Sequence, residues 1–163
     1  MEKPGEFAAN LYDAGMFYQW NRNIGWPSED PIGGTWNSTG AAATTWETTN
    51  DPCPDGWRVP TLDQLSKLTE IAKVSKTWET DYFGIGVKGY LLTDNVTSAT
   101  LFLPAAGSSN GDGTLINVGA YGGYRSSTPN STNAYLLNFY SGYFGTGNYD
   151  RAHGMSVRCV WDE

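Results

Sequence analysis

The chain has 163 residues, a formal net charge of −7, 17% charged residues and 14% aromatic residues, including seven Trp and ten Tyr. This length is most simply one domain over residues 1–163 with a sizeable core, and the aromatic-rich, weakly charged composition excludes a disordered chain. The acidic balance argues against nucleic acid as a partner, because phosphate binding needs clustered cations, and here the Lys end at Lys88, leaving only Arg125, Arg151 and Arg158 beyond it.

No apolar run approaches the roughly 20 residues that span a bilayer, so no membrane insertion is expected, and "MEKPGEFAAN" lacks the apolar stretch of a signal peptide. The segment "LYDAGMFYQWNR" spaces Leu11, Met16 and Trp20 as a short helix interrupted near Gly15. From Asn21 to Asp51 the chain is rich in Trp, Gly, Thr and Pro, which predicts a long ordered loop pinned by Trp26, Trp36 and Trp46. Next comes "VPTLDQLSKLTEIAKV". Thr61 as N-cap with Gln64 three residues on forms a capping box, and Asp63 complements the helix dipole. Leu65, Leu68 and Ala72 share a stripe beside Ile71, predicting a helix that ends near Val74 to Lys76.

Beyond that point the pattern is β. "GYLLT" and "TLFLPAAG" read as short strands, and "SSNGDGTL" as a turn. In "AYLLNFY", Tyr135, Leu137 and Phe139 share one face, with Leu136, Asn138 and Tyr140 on the other. In "GMSVRCV", Met155, Val157 and Cys159 share a side. The stretch from Tyr143 to Asp150 has no periodicity that would bury it and reads as a loop. The sum is an α+β fold, with one or two short helices on a small antiparallel sheet.

Chemistry-bearing residues are sparse. His153 is the only histidine, and with Asp150 nearby it still lacks the partners of a catalytic set. Two distant cysteines and one histidine do not make a structural zinc site, and "NGDG" lacks the spaced carboxylates of a calcium loop. No metal or cofactor is expected. Cys53 and Cys159 either close a loop of about 100 residues or stay two buried thiols, and the residues alone leave both open. Six tyrosines fall between Tyr121 and Tyr149 among Gly, Ser, Thr and Asn. That mixture suits a contact surface, since Tyr offers large amphipathic area at low entropic cost.

The blocks "NDPCPDGWRVPTLDQLSKL", "LFLPAAG", "DGTLINVG", "RSSTPNSTNAYLLNF" and "RAHGMSVRCV" occur in order over about residues 10–160. Together they resemble the Fibrobacter succinogenes major paralogous domain family of Bacteroidetes and their phages. The resemblance implies a C-type-lectin-like fold and a structural Cys53–Cys159 bridge. The last block is similar to the variable proteins of diversity-generating retroelements, in which Asn codons of the form AAY are mutated at their adenines. Leu136, Tyr140, Tyr143, Phe144, Gly145, Thr146, Gly147, Asn148, Tyr149, Asp150 and His153 are all reachable from such codons. Tyr135, Leu137, Phe139, Arg151, Gly154, Ser156, Val157, Arg158 and Cys159 stand as framework. The family pattern carries Trp where this chain has Arg125. The calcium-binding triplets of animal lectins are absent, and the catalytic cysteines of formylglycine-generating enzymes have no counterpart beyond Cys53 and Cys159.

The expectation is therefore a ligand-binding protein, not an enzyme, at a phage tail-fibre tip or bacterial surface. Residues Leu136 to His153 would display a diversified site for a protein or glycan, helped by Tyr121, Gly123, Tyr124 and Arg125. Tyr140, Tyr143, Phe144 and Tyr149 would anchor the ligand, while Asp150 and His153 would tune polarity and pH dependence. The rival expectations are a non-diversified surface or pilus-associated adhesin that binds a glycan and, behind it, an enzyme related to formylglycine-generating enzymes.

Overall fold

The computed structural model describes residues 3–28 and 35–163; residues 29–34, part of the expected Trp-rich loop, lie outside the described residues. The described chain corrects the α+β expectation. It is mostly β, with twelve strands and one α-helix of five residues. In chain order these are β1 (Met16–Tyr18), β2 (Gly25–Pro27), β3 (Trp57–Arg58), α1 (Leu62–Ser66), β4 (Val74–Tyr82), β5 (Val87–Asp94) and β6 (Thr100–Pro104). There follow β7 (Ser108–Ser109), β8 (Leu115–Ile116), β9 (Tyr121–Asn130), β10 (Asn133–Tyr140), β11 (Tyr143–Asp150) and β12 (Val160–Trp161). They form several small antiparallel sheets, and a helix laid on one sheet does not describe the molecule. The C-type-lectin-like architecture expected from the resemblance, with its helices packed on a sheet, is corrected with it.

Two helical expectations fail for different reasons. The capping box forms as read: Thr61 Oγ1 accepts from the Gln64 amide at 3.3 Å, and Gln64 Oε1 accepts from the Thr61 amide at 3.0 Å. The helix nevertheless stops at Ser66 and tightens into one 3₁₀ turn, Lys67–Thr69. From Val74 the chain pairs with β5 instead, where Trp78 meets Tyr90 at 5.2 Å between rings. Tertiary pairing overrides a helical stripe that buried only Leu65, and Ile71 is left exposed. Near the N-terminus, Phe17 to Trp20 are buried consecutively, which is the pattern of a strand covered on both faces. Met16–Tyr18 accordingly pairs with Gly25–Pro27.

The main core lies between the β11-β10-β9 sheet and the β4-β5-β6 sheet. Leu65, Tyr90, Leu92, Leu103, Tyr124, Leu137 and Phe139 meet there, with Trp78 and Phe144 at its margin. Each fully buried apolar side chain of this size contributes about 1.5–3 kcal/mol. A second cluster joins Tyr18, Val59, Val157 and Cys159, with Trp46 and Cys53 against it. Cys53 and Cys159 are bridged, closing a loop across a separation of 106 residues. Around this frame Trp20 packs on Trp46 at 5.7 Å and Trp26 on Trp36 at 5.0 Å. Trp36 Nε1 also donates to the Gly111 carbonyl at 2.9 Å, tying the N-terminal loop to the β7–β8 hairpin. Isolated bridges from Tyr124 to Ser156 and from Tyr18 to Met155 link β9 through the 155–156 segment to β1.

Candidate functional site

The stretch expected to be a loop, Tyr143 to Asp150, is strand β11. It returns from β10 through the two-residue turn Ser141–Gly142, where Gly142 has φ of 91°, a conformation that only glycine adopts without strain. Its irregular composition hid the strand because Gly145 and Gly147 occupy positions where an alternating side-chain pattern would show.

Register fixes the face. Tyr140 pairs with Tyr121 and Tyr143, Asn138 with Gly123 and Gly145, and Leu136 with Arg125 and Gly147. Directly opposite residues share a side of the sheet, so one face carries Tyr121, Gly123, Arg125, Leu136, Asn138, Tyr140, Tyr143, Gly145 and Gly147, with Tyr149 two residues on. The opposite face carries Leu137, Phe139, Tyr124 and Phe144 into the core. The glycines let rings lie close to the backbone. A Cβ on Gly145 would stand 2.7 Å from the Tyr143 hydroxyl oxygen, and one on Gly123 would stand 2.9 Å from the Tyr121 ring. Tyr140 and Tyr143 stack at 5.2 Å with 20° between planes, and Tyr149 lies 5.7 Å from the His153 ring. Tyr140, Tyr143 and Tyr149 are 52%, 39% and 41% exposed; Thr146, Asn148 and Asp150 are exposed too, but alternation puts them on the other side of β11, with Phe144.

Several expected contact residues sit elsewhere. Leu136 lies on the outward face, as its strand phase required, yet it is fully buried, as is Arg125 beside it. Arg125 Nη2 donates to the His153 carbonyl at 2.6 Å and to the Asp150 carbonyl at 3.4 Å, and a Cβ on Gly123 of the same face would stand 2.6 Å from Met155 Sδ, so the segment after β11 lies against this face. Tyr124 belongs to the core, its hydroxyl donating to the Pro104 carbonyl at 2.9 Å, and Gly123 is buried. Phe144 is a core margin residue rather than an anchor, stacked 5.4 Å from Phe139 and set edge-on to Tyr90 at 5.1 Å. Tyr135, read as core, is only half-buried, at a register shift between Ala134 and Leu136. Asn138, which the alternation of β10 places on the same face as Tyr140, stands mid-face between Gly123 and Gly145.

The electrostatics follow burial. Burial pushes the Arg125 guanidinium down to about 10, and its Nε and Nη1 have no hydrogen-bond partner among the described residues. Burial pushes the Tyr121 hydroxyl up. His153 is held below the usual imidazole range, first by burial and then by the nearby Arg125 charge, against the opposing pull of Asp150 and Asp112. Asp150 caps the next turn, its Oδ1 accepting from the Ala152 amide at 2.7 Å. Among the described residues no three His, Cys, Asp or Glu side chains gather as a metal site, and no helix is long and apolar enough to cross a membrane. A cleft of about 280 Å³ lined by Phe7, Leu11, Trp57 and Val157 includes none of the exposed tyrosines. Another of about 360 Å³, between Gly40–Ala42 and Asp150–Arg151, borders the end of β11.

Fold and site together define a mainly β domain that presents an aromatic sheet face beside a disulfide-closed frame. Residues 4–161 match the Fibrobacter succinogenes major domain, and the chain belongs to that family. No curated protein and no solved structure matches the chain.

Proposed function

We propose that this chain is a ligand-binding domain that recognises its target through the outward face of the β9–β11 sheet, without catalysis. One observation carries the reading: Tyr140, Tyr143 and Tyr149 are all exposed on that one face, 52%, 39% and 41% respectively, around backbone stripped of side chains by glycine. Exposed aromatic rings on a rigid sheet offer large contact area at little entropic cost, and such residues dominate binding hot spots. The target is a protein or glycan on a cell surface, and the setting is extracellular, at a tail-fibre tip or bacterial surface. The Cys53–Cys159 bridge supports that setting, because disulfides persist in oxidising compartments.

The finer reading is that this face is diversified by a retroelement. Its support is that Tyr140, Tyr143 and Tyr149, all reachable from mutated AAY codons, are exposed on this face; Phe144, Thr146, Asn148 and Asp150 of the same set alternate onto the other side of β11, and Leu136 is buried. A fixed, glycan-binding adhesin is favoured only by the flat stack of Tyr140 on Tyr143, which would suit a sugar ring. The test is a triple Tyr140, Tyr143 and Tyr149 to Ser variant, assayed on intact bacterial cells and on a glycan array. Lost binding with an unchanged melting temperature supports the face; retained binding rejects it. DNA from related isolates checks the diversification, which requires changes clustered at adenine-bearing codons.

A further inference from the structure

Strand β11 is the outer strand of its sheet, and its far side is unpaired. The two-residue turn makes Tyr140 and Tyr143 a hydrogen-bonding pair, so the alternation of an antiparallel ladder turns the amides and carbonyls of Phe144, Thr146 and Asn148 away from β10. Among the described residues no backbone group of another segment reaches them. Elsewhere this fold guards its edges. Strand β4 carries Lys76, Glu79 and Asp81 and shifts register between Glu79 and Tyr82, and β6 ends in Pro104. Charges, bulges and proline are the usual means of preventing a strand from recruiting another. Strand β11 pairs with β10 over eight residues without a shift, and has no Lys, Arg or Pro; its one charge, Asp150, is terminal.

The sequence of this open edge also reads alike in both directions except at Phe144 and Asn148. In "YFGTGNY", Tyr143 and Tyr149, and likewise Gly145 and Gly147, stand symmetrically about Thr146. We propose that β11 is the surface through which two copies of this chain associate, antiparallel about a two-fold axis at Thr146. Two three-stranded sheets thereby become one of six strands. In that register Thr146 faces Thr146 and Phe144 faces Asn148 of the second copy, at the hydrogen-bonding positions. Tyr143 faces Tyr149, and Gly145 faces Gly147, at the close positions between them. Aromatic pairs and Thr–Thr pairs are favourable cross-strand neighbours, and the facing glycines leave the rings room. An isologous contact requires such self-complementarity, whereas a foreign peptide would need only the backbone ladder. The two tyrosine faces then merge on one side of the joined sheet. The association stands whether or not those tyrosines bind a ligand.

The test uses the full chain. Sedimentation velocity from micromolar to near-millimolar concentration is expected to show a reversible dimer, which Thr146→Lys, placing like charges at the axis, converts to monomer while leaving the circular dichroism spectrum unchanged. A second pair of variants reads the register. Thr146→Cys is expected to give a disulfide-linked dimer under mild oxidation. Asn148→Cys is not, because its two copies would lie about 14 Å apart along the strand, beyond disulfide reach. The proposal is overturned by a monomer across the whole concentration range, by a dimer indifferent to Thr146→Lys, or by Asn148→Cys linking as readily as Thr146→Cys. Slowed exchange of the Phe144, Thr146 and Asn148 amides only on adding a host-cell surface extract would assign the edge to a foreign strand and also overturn it.

Discussion

The guanidinium of Arg151 lies 3.9 Å from the centre of the Trp20 ring, stacked on an indole that is itself fully buried. Its nitrogens reach four carbonyls. Nε donates to Asn133 at 3.0 Å, Nη1 to Ala41 at 2.7 Å and Ala43 at 2.6 Å, and Nη2 to Ser131 at 2.7 Å. One side chain thus ties the end of β11 to the β9–β10 turn and to the N-terminal loop. Only a planar fork can serve these directions at once; the point charge of Lys cannot. Arg151→Lys is expected to cost about 1.5–3 kcal/mol, because part-buried carbonyls lose charge-assisted partners. The melting temperature should fall by roughly 4–12 °C for a domain of this size. An unchanged thermal melt would show that these carbonyls find other donors.

Neighbours on one strand should respond oppositely. Leu136 is fully buried, whereas Tyr140 is 52% exposed. Leu136→Ala is expected to cost about 2–5 kcal/mol, as buried leucines do, and Tyr140→Ser less than about 1 kcal/mol. Denaturant titration of the two variants measures this directly. Equal losses would mean that the outward face is structural along its whole length.

Leu136 also shows where the sequence stopped being informative. Period-two alternation placed it correctly on the face of Asn138 and Tyr140, but alternation reports phase and not what covers a face. Arg125, its partner across the sheet, donates to the carbonyls of Asp150 and His153 from the segment after β11, and no local pattern encodes that contact. The capping box at Thr61 and Gln64 was legible because its bonds close within one turn. The helix end was not legible, because pairing with β5 decides it. Gly145 and Gly147 concealed β11 by removing the side chains that alternation needs, and the same absence opens its face. The bridge between Cys53 and Cys159 joins residues 106 positions apart, and only the family resemblance pointed to it.

That bridge should dominate global stability. Closing so long a loop removes denatured-state entropy worth about 4–5 kcal/mol. Cys159 is 9% exposed and packs with Tyr18, Val59 and Val157, so a Cys53→Ser, Cys159→Ser double variant also puts hydroxyls in an apolar cluster. Reduction with dithiothreitol leaves the packing atoms in place and isolates the crosslink. Wild-type protein is expected to melt well below its oxidised temperature once reduced, and the double variant lower or equal. A melt insensitive to reductant would show that the frame holds without the bridge.

His153 sets the pH window. Its imidazole is held below the ordinary range by burial first and by Arg125 second, while Asp150 and Asp112 pull it up and the Tyr149 ring lies against it. The unfolded chain therefore takes up the proton first, near pH 6.5, and the native state only at lower pH. Since the unfolded state binds more protons in this interval, stability is full above about 6.5 and declines as pH falls through the native value. Asp112 acts in a lower window. A hydrogen bond from the Thr114 amide holds its carboxyl below the usual value, so its contribution is lost only as pH drops beneath about 4. Urea denaturation between pH 7.5 and 5 should show falling stability in wild type and a flatter profile in His153→Gln. Identical slopes for the two proteins would remove His153 as the source. If ligand recognition uses this end of the face, affinity should weaken over the same interval, because the imidazolium would then have to sit beside Arg125.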